Sequence, residues 1–169
     1  MTNIAEKPQD ARAIANYILD EAPKYGITDL SPLKLMKLIF LAHGWSFYLC
    51  GENEPLITEQ PQAWQYGPVY RNVYDAVKKY GGSPIRERII NRETDFPYEA
   101  DLSERQRKAI NAVLKRYKDK SAFWLSNLTH LEGSPWFETW NKGSGNNNEI
   151  PATAMKNYYL EMAREMGLR

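Results

Sequence analysis

SPLKLMKLIFLAHGWSFYLCGENEPLITEQPQAWQYGPV, residues 31–69, decides how this chain folds. Its first half is a helix with almost no solvent face. Ser31 offers a hydroxyl cap, and Pro32 fits the first helical position, where its missing N–H has no partner to lose. At about 100° per residue, Lys34, Lys37, Gly44 and Tyr48 fall in one narrow arc, and almost every other position up to Cys50 is apolar. Such a helix must be packed on most sides, so it is expected at the centre of the domain. Gly51 closes it. The second half is an aromatic loop punctuated by Gly67 and Pro68, with irregular chain or short strand expected over 52–66.

On the N-terminal side, a first helix is expected to start after Asp10 and run to about residue 25. Ala11, Ile14, Ile18 and Ala22 recur at helical spacing, and Gly26 follows as a stop. On the C-terminal side, Pro68 is expected to open a third helix that turns Val69, Val73, Ala76 and Val77 inward and ends at Gly81 and Gly82. IRERIINRETDF, between Pro84 and Pro97, permits a strand paired with 56–64. Ser103 with Gln106 reads as a capping box for a fourth helix bearing Ile110, Val113, Leu114 and Tyr117. A fifth helix is expected over 121–131, stopped by Gly133, with Gly133-Ser134-Pro135 reversing the chain. GSGNNN, 143–148, reads as a flexible polar loop and 1–9 as a flexible tail. Pro151 opens a last helix with a stripe of Met155, Tyr159, Met162 and Met166. The fold class is mainly α: one compact helical bundle, 1–169, around a buried central helix, with short β elements near 56–64 and 84–92.

Composition narrows the function. The chain has 169 residues, 43% hydrophobic and 25% charged, as an ordinary globular domain has. A net charge of +1 gives no global basic field for nucleic acid or membrane. A single cysteine, Cys50, excludes an internal disulfide framework and fits a cytoplasmic protein. MTNIAEKPQDAR lacks the basic-then-apolar order of a signal peptide. The apolar run 33–50 is long enough for a membrane span, but Lys34, Lys37 and His43 mark it as a buried helix instead.

No catalytic equipment stands out. His43 and Cys50 lie on nearly one line of the central helix, but about 10 Å apart along its axis, too far for a nucleophile pair. Both are read as structural core residues. His130, near the end of the fifth helix, is read as structural, as is Trp136, which pins the following turn. Two histidines and one cysteine, without CxxC or HExxH, give no metal site, and no cofactor motif is present. Glu52, Glu54 and Glu59 share a loop without forming an acid–base pair. Arg105, Arg107, Lys108, Lys115, Arg116, Lys118 and Lys120 make a basic helix face, suited to solvent, to phosphates or to an acidic protein. Trp64 and Trp136 are expected to lock loops onto the core, with Tyr66 and Tyr70 exposed. The candidate partner-binding set is Trp64, Tyr66, Gly67, Pro68, Tyr70, Arg71 and Asn72, because rigid aromatics beside charge make good contact residues.

Taken in order, the 33–51 helix, Pro55-Leu56, AWQYGPVYRNVY (63–74), KYGG (79–82), LTH (128–130) and Pro135-Trp136 resemble the Panacea, or SocA-like, antitoxin domain over roughly residues 13–159. Glu59 stands where that family commonly has an acidic residue ahead of the AW pair. The resemblance implies a mainly helical, non-enzymatic antitoxin of bacteria or phages that neutralises a toxin encoded by an adjacent gene through direct protein contact. Toxins associated with the family include alarmone synthetase-like enzymes and other inhibitors of translation. It also implies alternatives: a branch of the family acts as a proteolytic adaptor handing its toxin to an ATP-dependent protease. A DNA-binding autoregulator using the basic fourth helix is a further reading of the residues. The family assigns no catalytic residues.

Overall fold

The computed structural model describes residues 6–142 and 147–168. At its centre is α2 (Pro32–Leu49), where the side chain of Ser31 accepts from the Lys34 N–H as a cap. Every residue of 34–47 is buried. Around it stand α1 (Ala11–Glu21), β2 (Gly67–Val69), α3 (Arg71–Val77), α4 (Glu104–Tyr117), α5 (Ala122–Thr129) and α7 (Ala152–Glu165), all in contact with α2. The narrow polar arc is therefore no solvent face. Lys34 is buried along its stem and pairs with exposed Asp29 at 2.7 Å. Lys37 is fully buried. Gly44 is where α7 crosses: a Cβ there would sit 2.2 Å from the Tyr159 ring.

The flanking helices follow their sequence signals. Asp10 caps α1, which passes into a short 3₁₀ turn (Ala22–Tyr25) ahead of Gly26. The Ser103–Gln106 capping box of α4 is formed, with Ser103 N–H donating to Gln106 Oε1 at 3.0 Å and Gln106 N–H to Ser103 Oγ at 3.1 Å. Of the α7 stripe, Met155 and Tyr159 are buried, Met162 is half-buried and Met166 is 44% exposed.

Three expectations are corrected. Pro68 does not open a helix: it sits in β2, paired with β1 (Gln62–Trp64) in the register Gln62↔Val69, Ala63↔Pro68 and Trp64↔Gly67. Helix α3 starts only at Arg71, because the strand pairing holds the chain extended through Tyr70. The 84–97 segment does not pair with 56–64. It folds on itself as β3 (Ile90–Asn91) and β4 (Phe96–Pro97), a hairpin of its own, since 62–64 already pairs with 67–69 across a two-residue turn. The SPW turn is the start of another helix, α6 (Pro135–Lys142), with Ser134 Oγ accepting the Phe137 N–H at 3.1 Å.

Asn16 on α1 holds the base of the β3–β4 hairpin. Its amide accepts the Ile89 N–H at 2.7 Å and donates to Ile89 O at 2.9 Å and Tyr98 O at 2.8 Å. Within the tail read as flexible, Gln9 lies alongside 56–58, and Glu6 and Lys7 meet Ser103 and Gln106 at the start of α4. Gln9 N–H donates to Leu56 O at 2.7 Å, and the Gln9 side chain exchanges hydrogen bonds with the Asp101 backbone. Residues 1–5 of that tail and 143–146 of the 143–148 loop lie outside the described residues.

Candidate interaction surface

The AWQYGPVY segment is the β1–β2 hairpin with Gln65 and Tyr66 at its turn. Three successive carbonyls at the turn are each taken by a side chain from the C-terminal helices. Trp136 Nε1 donates to Trp64 O at 2.6 Å, His130 Nε2 meets Gln65 O at 2.9 Å, and Ser126 Oγ donates to Tyr66 O at 2.7 Å. The other His130 nitrogen, Nδ1, faces Ser126 O. Its ring lies 3.9 Å from the Trp136 ring, and Trp136 stacks on Trp140 at 5.4 Å. Turn carbonyls buried without donors cost free energy, so these side chains hold the turn in one conformation.

The underside of the hairpin is sealed by α2. Lys37 Nζ donates to Pro68 O at 3.0 Å. Burial pushes the Lys37 ammonium down to about 7, because no carboxylate compensates for the lost water. Gly67 has φ +116°, and a Cβ there would meet Lys37 Cε at 2.6 Å and Thr129 Oγ1 at 2.9 Å. Only glycine fits that backbone and that space.

The candidate residues are thereby sorted. Tyr66 is 65% exposed and Arg71 is exposed, forming an i, i+4 pair with Asp75 at 3.3 Å. Trp64 is half-buried, edge-on to Tyr74 at 4.8 Å, with the Arg71 guanidinium 5.6 Å from its ring centre. Asn72 is half-buried and its buried Oδ1 has no partner. Gly67 and Pro68 are buried and belong to the hairpin's packing. Tyr70, expected to be exposed, is fully buried: it follows β2 in extended backbone at the start of α3 and packs onto α2, where its hydroxyl meets His43 Nδ1 at 2.7 Å. What reaches solvent together is the Tyr66 tip, the Trp64 edge and Arg71.

His43 is a core residue. It stacks on Phe47 with ring centres 5.5 Å apart, and burial pushes its imidazole down to about 3, so the ring is neutral. Burial raises the Tyr70 phenol well above its usual range, so the phenol keeps its proton in its hydrogen bond with Nδ1. Cys50 is buried, and burial lifts its thiol to about 11, which removes nucleophilic thiolate at neutral pH. Glu59 caps the start of α1, its carboxylate accepting the Ala11 N–H at 2.9 Å. Among the described residues no three of His, Cys, Asp and Glu come together as a metal site would need, and no helix is long and apolar enough to cross a membrane. Sequence reasoning missed Lys37, Ser126 and Thr129 as supports of the hairpin, since nothing local marks a helical serine, threonine or lysine as facing a distant turn.

The family described as antitoxin SocA-like, Panacea domain, matches residues 35–137. Antitoxin SocA of Caulobacter vibrioides (strain NA1000 / CB15N) is 33% identical over 146 residues, which cover 80% of this chain and 74% of that protein. No solved structure matches the chain. The matched span runs from within α2, through the sealed hairpin, to the Trp136 that donates to it, and the chain belongs to the SocA-like, Panacea-domain family of antitoxins.

Proposed function

We propose that this protein is the antitoxin of a bacterial or phage toxin–antitoxin pair, that it acts in the cytoplasm, and that it neutralises the toxin encoded beside it by direct protein contact without catalysing a reaction. The observation that carries this reading is the family match over the central helix and hairpin. The site chemistry supports it: the buried Lys34, Lys37, His43 and Cys50 line none of three surface hollows of the described residues. Neutralisation by contact needs a preformed surface, and the Tyr66 turn is one, its three carbonyls already held. Trp64, Tyr66, Arg71 and Asn72 form the proposed contact, an aromatic tip beside a charge. Gly67, Pro68 and Tyr70 act beneath it as its support.

Co-expression tests the reading. Cells carrying the adjacent toxin gene are expected to grow only when this protein is present, and the two proteins are expected to co-purify. Absence of both rescue and association rejects it. Rescue and association that survive Tyr66→Ala with Arg71→Ala reject the proposed surface alone.

A further inference from the structure

A second exposed apolar surface lies on the other flank of α5. One hollow of about 280 Å³ is walled by Trp45, Trp124, Leu128, Tyr159, Met162 and Met166. A smaller one of about 120 Å³ is walled by Leu49, Val113 and Leu168. Trp45, Arg116 and Met166 line both, so the two form one trough between α4, α5 and the end of α7. Leu49, Trp124, Met166 and Leu168 on its walls are each more than 40% exposed. Large apolar side chains gathered in one concavity mark a binding surface, whereas scattered ones do not.

Two further observations point to an occupant. The indole N–H of Trp45 is buried in the trough wall without an acceptor. The one charged residue that lines the hollows is a cation. No Asp or Glu lines either hollow, while Arg116 lines both. Lys120 Nζ stands 4.5 Å from the centre of the Trp124 ring. Among the described residues neither cation has a carboxylate partner. The trough is separate from the Tyr66 surface. On α5, Trp124 and Leu128 are one helical turn apart on the same side, and Ser126, between them, points the opposite way to hold Tyr66 O.

We propose that this trough docks an amphipathic helix of the toxin, apolar on the buried side and flanked by Asp or Glu; the proposal rests on the antitoxin reading given above. The trough walls are helices and offer no strand edge, which fits a helix laid into a groove. The flanking acids would pair with Arg116 and Lys120. A second copy of this chain is a poor occupant, since a two-fold contact sets the Arg116 and Lys120 of one copy against those of the other.

Two arms test this. In the first, the protein alone is titrated with a synthetic amphipathic helix carrying Leu and Phe on one side and Glu at the flanks, and with a twin carrying Lys at the flanks, following tryptophan fluorescence. The Glu peptide is expected to bind with a blue shift. Its affinity is expected to fall about tenfold or more in an Arg116→Glu, Lys120→Glu variant of unchanged melting temperature. Equal binding of both peptides, or of neither, overturns the proposal, as does a concentration-dependent dimer that competes with the peptide. In the second arm, the same variant is measured against the adjacent-gene toxin, with a loss of about tenfold or more expected. Peptide binding with unchanged toxin affinity overturns the assignment to the toxin. If the wild-type chain does not associate with the toxin at all, the direct-contact function itself fails and takes this proposal with it, a result visible without either variant.

Discussion

Two short antiparallel hairpins flank α3, and they are held in different ways. In β1–β2 the whole of Gly67–Val69 is buried, and the carbonyls of Trp64, Gln65, Tyr66 and Pro68 are met by Trp136, His130, Ser126 and Lys37. In β3–β4 the residues near the tip face water, with Ile90 46% and Phe96 72% exposed. That second hairpin is held at its base by Asn16 and at its side by surface contacts. These are an Arg88–Asp20 ion pair at 2.8 Å and the Arg12 guanidinium 4.1 Å from the Tyr98 ring centre. The stretch with the most specific wording in the chain is thus chiefly a packing device. Its glycine, proline and second tyrosine are needed where backbone meets α2 and α5, and only Tyr66, Arg71 and the edges of Trp64 and Asn72 are left for a partner.

The largest expected effect falls on the buried hairpin. Gly67→Ala forces a Cβ against Lys37 and Thr129 at a positive φ, and is expected to cost about 4 kcal/mol in denaturant unfolding. A loss under about 1 kcal/mol would show that the hairpin is as loosely held as its neighbour. Asn16→Ala leaves the buried Ile89 N–H without its acceptor and should cost about 3 kcal/mol. Amide exchange is expected to accelerate in 89–98 while 62–70 stays protected; uniform acceleration would mean that the two hairpins are not separately held.

Next comes a pH effect. Burial lowers Lys37 to about 7 in the folded state against 10.5 unfolded. Between those values the unfolded chain holds the extra proton, so stability rises with pH through this window. The gain is expected to reach about 2 kcal/mol from pH 7 to pH 9, beyond which Cys50, raised from 9.0 to about 11, works in the opposite direction. Lys37→Met should flatten the rise, and an unchanged slope would assign it to another group. The smallest stability effect is expected at the tip: Tyr66→Ala should shift stability by less than about 0.5 kcal/mol while weakening toxin association. A large drop in melting temperature would make Tyr66 part of the packing.

Much of the framework was legible in local signals. Ser31 and the Ser103–Gln106 box announce helix starts because capping chemistry is settled within three residues. The apolar run of α2 announces a central helix because a helix with no wide polar face has nowhere to stand but inside. The burial of His43 was also legible, from the apolar face of α2 on which it lies.

Contacts between distant segments decided the rest. Lys37 reads as the edge of a polar arc and Tyr70 as an exposed aromatic, yet both are buried where the β1–β2 hairpin packs on α2, a contact between segments that neither local stretch announces. The pairing partner of 84–97, the helix begun at Pro135 and the trough beside Trp124 likewise depend on which surfaces meet after collapse. Local propensity and periodicity carry element type and burial; the direction of a loop side chain is set by tertiary packing, which a single local stretch does not encode.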